Sequence, residues 1–187
     1  MAAREKKKTQ EKPAEGIGIR SVVAKNLRAI LEHLGWGAGD FQKRTGFSSH
    51  FIAGVLRGDQ NPSIDNLHVM ARALGVHVFQ VLNPRFERPE RSLLLDMLEL
   101  SNEAVERLRK NAGSGKTEPR EALSKNLRRL LAVNGLTVQA LAEDAGIAGS
   151  TIQKCLKGTQ NVTIDNLDRI AKSLGVAAFL LVLPTDG

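Results

Sequence analysis

The chain has 187 residues and a mass of 20.3 kDa, with 42% apolar and 25% charged residues and a net charge of +7. Six Phe, one Trp and no Tyr leave Leu, Ile, Val and Ala to fill the core, a composition that favours helices over sheets. One Cys and four isolated His exclude a disulfide scaffold and a zinc module, and no apolar run approaches the roughly 18 residues that span a bilayer or resembles a signal peptide.

Residues 1–16 are polar, lack periodicity and carry Lys6, Lys7 and Lys8, so they read as a disordered basic arm. Such an arm either wraps a polyanion or solubilises the chain. A first domain is expected over 17–86. Val23, Leu27, Ile30, Leu31 and Leu34 form the stripe of an amphipathic helix that Gly35 ends. Ser48 is positioned to cap a third helix, and Ser63 a fourth running from Ile64 to Ala73. VHVFQVL then closes the domain as a short helix.

Residues 87–111 predict a long helix beginning near Pro89. Leu94, Leu98, Val105 and Leu108 lie on one stripe, with Leu93, Met97, Leu100 and Ala104 on a second. Two apolar faces predict a helix that packs on its own domain and on another chain, with Leu94, Met97, Leu98, Val105 and Leu108 at a homodimer seam. Residues 112–120 read as a flexible Gly/Ser linker. Its GSGKT is not a phosphate-binding loop, because Lys110 stands where that pattern needs Gly and a charged helix precedes it. No nucleotide is expected.

The second domain, over 121–187, repeats the first. Leu123, Leu127, Leu130 and Leu131 recur at helical spacing up to Gly135, and Thr137 caps a short second helix. Gly146 breaks the chain before a third helix from about Gly149, and Thr163 caps a fourth from Ile164 to Ser173. VAAFLLVL closes this domain as a short helix, a strand remaining open for so short an apolar run. Shifting the chain by 100 residues superposes it on itself without a gap. Between Lys25 and Pro84, 22 of 60 positions match their partners, including KNLR, IDNL and LGV. One module of about 65 residues is therefore used twice.

LTVQALAEDAGIAGSTIQKCLKG, from Leu136 to Gly158, resembles the helix-turn-helix of the phage-repressor (Cro-like, xenobiotic-response-element) family. WGAGDFQKRTGFSSHFIAGVLRG, from Trp36 to Gly58, is a more divergent copy. The resemblance covers about 130 residues. It implies an all-α fold of two tandem lambda-repressor-like five-helix domains, joined by the long helix and the linker. It also implies a third helix in the DNA major groove. The base readers would be Ser49, His50 and Gly54 in the first domain, and Gly149, Ser150, Thr151, Gln153 and Lys154 in the second. Gln153 can pair bidentately with adenine and Lys154 can donate to guanine. Arg57, Lys157, Lys43, Arg44 and Gln139 would meet phosphate.

Ala38 and Val138 stand where the family usually places a Gln, with Gln139 displaced by one. Gly37, Gly39, Phe51 and Gly54 leave two roles open for the first domain, a weak DNA reader or a protein contact. His33, His68 and His77 are expected at the surface or half-buried, and Cys155, aligned with the apolar Val55, in the core. No nucleophile–base pair, carboxylate pair or metal cluster appears, so neither catalysis nor a cofactor is expected. The reading is a cytoplasmic, nucleoid-associated, homodimeric repressor of bacterial or phage origin that binds double-stranded DNA. The alternative is a protein-interaction module on the same fold, an antitoxin or a phage anti-host factor.

Overall fold

The computed structural model describes residues 18–86 and 117–184. The expected basic arm (Lys6, Lys7, Lys8) and the expected dimer stripe (Leu94, Met97, Leu98, Val105, Leu108) lie outside the described residues. In the first half, α1 (Ile19–Leu34), α2 (Ala38–Thr45), α3 (Ser49–Arg57), α4 (Ile64–Ala73) and α5 (Val78–Leu82) follow one another. The second half contains α6 (Glu118–Asn134), α7 (Val138–Ala145), α8 (Gly149–Leu156), α9 (Ile164–Ser173) and a closing 3-10 helix (Ala178–Val182). The same order of elements thus occurs twice, and among the described residues there is no strand.

Local sequence accounts for the helix ends. The hydroxyls of Ser48, Ser63, Thr137 and Thr163 accept hydrogen bonds from the backbone N–H groups of Phe51, Asn66, Ala140 and Asn166, each satisfying a first-turn donor. Gly46 and Gly146 hold the turn before the third helix with φ of 69° and 59°, where a Cβ would strain the chain. Val23, Leu27, Ile30, Leu31 and Leu34 are buried, as are Leu123, Leu127 and Leu131, with Leu130 half-buried. The open question about VAAFLLVL is answered by a 3-10 helix.

The KNLR match has a tertiary cause. The Asn26 amide is buried and donates to the carbonyls of Val81 and Asn83, while that of Asn126 donates to those of Leu181 and Leu183. Each Asn thereby ties the first helix of its half to the last. Arg28 and Arg128 reach the carbonyls of Leu56 and Leu156, binding the end of the third helix to the first.

Two expectations change. The linker drawn over 112–120 is too long, because α6 begins at Glu118. Pro119 sits in its first turn, where a missing N–H costs nothing, and the Asp65 carboxylate holds Arg120. His68, expected at or near the surface, is buried on α4. Glu118 covers it from α6, with 3.9 Å between His68 Nε2 and the carboxylate.

The halves share one continuous apolar core. Ser63 and Thr163 form an isolated antiparallel bridge, in which the Ile64 N–H donates to the Val162 carbonyl (2.9 Å) and the Ile164 N–H to the Pro62 carbonyl (3.0 Å). Asn161 Oδ1 accepts from the Asp65 N–H at 3.3 Å, and Asn61 Oδ1 from the Asp165 N–H at 3.2 Å. Arg20 pairs with Asp165 and Arg120 with Asp65. Outside these polar contacts, α5 packs on the closing 3-10 helix, α1 on α9 and α4 on α6.

Candidate nucleic-acid interface

The third helix of each half is held on three sides. Its apolar face (Ile52 and Val55, or Ile152 and Cys155) is buried, Gly46 or Gly146 sets its entry, and Arg28 or Arg128 grips its end. The remaining face looks outward. In the second half it forms a groove of about 720 Å³ lined by Thr137, Val138, Gln139, Gly149, Ser150, Gln153, Lys154 and Lys157. Six of the expected site residues thus line one groove: Gln139, Gly149, Ser150, Gln153, Lys154 and Lys157. Thr151 is half-buried and lies outside this lining.

Ser150, Gln153, Lys154 and Lys157 are exposed and available to a ligand. Gln139 is fixed from the side, since its Nε2 donates to Glu143 Oε1 at 2.8 Å. An idealised Cβ at Gly149 would stand 4.0 Å from Gln139 Oε1, so the amide lies against the start of α8. The groove offers amide, hydroxyl and ammonium groups above a rigid apolar base, which suits anionic, hydrogen-bonding polymers.

The first half presents a different face. Ser49 and His50 are exposed on α3 as expected. Gly54 is not, which corrects its assignment as a base reader. It is buried, a Cβ there would meet Gln60 Cγ at 2.5 Å, and its carbonyl accepts the Asp59 N–H at 2.9 Å. The chain doubles back after Gly58, and Gln60 covers the place that Lys154 holds in the second half. Arg57 is exposed, but its Nε donates to Asp59 Oδ2 at 2.7 Å, whereas Lys157 has Thr159 at the equivalent position. Lys43 and Arg44 line a separate depression with Trp36 and Asp40. Phe51 turns toward Phe47, their rings 5.3 Å apart edge to face.

Cys155 is a core thiol beneath α8, and burial pushes its pKa up to about 12. His77 is half-buried, stacked on Phe79 at 5.6 Å, with Nδ1 3.6 Å from the Glu118 carboxylate. Among the described residues no group of three His, Cys, Asp or Glu could hold a metal ion, and no helix is long and apolar enough to cross a membrane.

The residues missed by local patterning are Arg20, Arg120, Asn61, Asn161, Asp65 and Asp165, which join the halves just behind the third helices. Each is identical to its partner 100 residues away. A polar identity of that kind, with no place in an apolar stripe, was the available signal.

Residues 126–177 match the Cro/C1-type HTH DNA-binding domain. The chain is 33% identical over 70 residues to a hypothetical transcription factor of Neisseria meningitidis, a match spanning 37% of this chain and 66% of that protein, just under two thirds. It is 30% identical over 71 residues to an uncharacterized HTH-type transcriptional regulator of Sinorhizobium fredii, spanning 38% of this chain and 92% of that regulator. No solved structure gives a significant match. With the groove above α8 built from the residues of that domain, the chain belongs to the Cro/C1-type helix-turn-helix family of DNA-binding transcriptional regulators.

Proposed function

We propose that the chain is a sequence-specific repressor that reads the major groove of duplex DNA, with α8 as its principal reading helix. The observation that carries this is the gathering of Gln139, Ser150, Gln153, Lys154 and Lys157 around one exposed groove on a helix anchored from behind. Gln153 and Lys154 stand one helical step apart, so a bidentate amide and a cation reach neighbouring base edges. Lys157, just past the helix end, meets the flanking phosphate, and Gln139 meets phosphate from the start of α7.

The first half makes the weaker DNA contact, through Ser49, His50 and Arg57. Repression is the output that demands least of such a protein, because occupying a promoter is enough to block it. A cytoplasmic location follows from a nucleic-acid target.

The experiment is selection of bound fragments from random duplex DNA, followed by a promoter-reporter assay on the recovered site. Wild-type protein enriches a defined motif and lowers reporter output. The double substitution Gln153→Ala, Lys154→Ala relieves repression and removes base preference from the part of the motif that α8 reads, while leaving the helical circular dichroism unchanged, since both side chains are exposed. Undiminished binding by the double variant, or retention that ignores sequence and vanishes at moderate salt, would transfer the function to a protein partner.

A further inference from the structure

We propose that one chain is by itself a complete two-fold reading unit, whose halves engage the two ends of a single non-palindromic DNA site. This rests on the DNA-binding reading above and specifies the ligand: a bipartite duplex with two unlike half-sites.

The contacts between the halves are reciprocal. Ile64 reaches across to Val162 and Ile164 to Pro62; Asp65 meets Asn161 and Asp165 meets Asn61; Arg20 meets Asp165 and Arg120 meets Asp65. Residue i touching j+100 while j touches i+100 is the pattern of an isologous interface, produced here within one polypeptide. Its dyad passes by the Ser63–Thr163 bridge. Both residues are also helix caps, with φ near −75° and ψ near 160°, and this extended backbone leaves the flanking N–H and C=O groups free to pair across the axis.

A two-fold rotation preserves height along its axis, so α3 and α8 lie at one level and on opposite sides of it. The distance between them is bounded by the chain. Arg57 precedes Ser63 by six residues and Leu156 precedes Thr163 by seven. At most about 3.5 Å per residue, with about 5 Å across the bridge, puts the ends of the two helices within roughly 50 Å. That admits the ~34–36 Å between half-sites one duplex turn apart.

The reading faces across this dyad are unlike. Gln153 faces Ala53 in the alignment of halves, Lys154 faces Gly54 under Gln60, Ser150 faces His50, and the exposed Lys157 faces an Arg57 tied to Asp59. A symmetric operator would therefore leave one half mismatched. Linking the halves through a shared core also makes the second contact intramolecular, so neither half needs high affinity alone.

The test begins with full-length protein and the duplex recovered by random-fragment selection. Native mass spectrometry of the complex is expected to show one chain per duplex. Two duplexes are then built in which either half-site is duplicated as an inverted repeat, and each is expected to bind at least about tenfold more weakly than the native site. In Gln153→Ala, Lys154→Ala, base preference is lost at one half-site while the ranking of substitutions in the other is retained. A palindromic motif, two chains per duplex, or loss of preference in both half-sites at once would overturn the single-chain assignment while leaving DNA reading intact. Failure to enrich any motif would overturn the DNA-binding reading itself, and the single-chain assignment with it.

Discussion

Arg120 and Asp65 are sealed from solvent at 2% and 1% side-chain exposure, whereas their counterparts across the dyad, Arg20 and Asp165, remain 38% and 35% exposed. Arginine Nε donates to the carboxylate in both pairs, at 3.1 Å in the Arg120 pair and 2.9 Å in the Arg20 pair, but Asp65 Oδ1 also accepts from Thr117 Oγ1 at 2.7 Å. Removing one partner of a buried pair strands a charge and costs about 3–5 kcal/mol, while an exposed pair contributes about 0–1 kcal/mol. Asp65→Asn is therefore expected to lower unfolding stability several-fold more than Asp165→Asn in urea titrations. Equal effects would mean that the two ends of the interface are equally solvated.

Acidification should loosen the same interface through His68. Burial holds its imidazole below the ordinary histidine value, opposed by the Glu118 and Asp65 carboxylates and reinforced by Arg72 and His77. In the unfolded chain a histidine takes its proton near pH 6.5, so below that pH the unfolded state binds a proton that the folded state resists. Stability is then lost as pH falls from 6.5 toward the lowered folded value, and recovered as pH rises. Urea midpoints of the wild-type protein and of His68→Gln, measured from pH 7.5 to 5, should converge on acidification. Parallel curves would exclude His68 as the source.

Cys155 should be chemically silent in the folded protein. With its pKa pushed up to about 12 and its side chain buried, almost no thiolate exists near neutrality. Iodoacetamide at pH 8 is expected to label the chain only after denaturation. Cys155→Val, which installs the residue that the other half uses at position 55, should cost less than about 1.5 kcal/mol. Rapid native labelling would show that α8 detaches from its base.

Phosphate and base contacts separate by their salt dependence. Lys157→Ala should reduce the log–log salt slope of DNA binding by about 0.9 and weaken all sequences alike. Gln153→Ala should leave that slope unchanged and relax preference at one position, at about 1–3 kcal/mol. Arg57→Ala should move the slope less than Lys157→Ala does, because Asp59 already neutralises Arg57. Equilibrium titrations at four salt concentrations distinguish the three outcomes.

Much of the fold is legible in the sequence. Leu123, Leu127 and Leu131 announce a buried stripe because a helix repeats every 3.6 residues, and Thr137, Ser63 and Thr163 announce helix starts because a hydroxyl satisfies an orphan donor. Lys154 and Gln153 were placed on the reading helix through the resemblance to the repressor helix-turn-helix, and both are exposed there. Gly54 could not. Its burial depends on the path of the chain after Gly58 and on a rotamer of Gln60, neither of which is written in local spacing.

The sequence by itself determined two copies of one helical unit, their caps and their apolar stripes, because each follows from interactions a few residues apart. Only the tertiary structure decided that the copies join. Asp65 and Arg120 read along the chain as ordinary charged positions near helix starts, and their burial arises only when each is matched by a group 55 residues away. A charge goes into a protein interior only where its partner is already placed, and that placement belongs to the packing of whole helices.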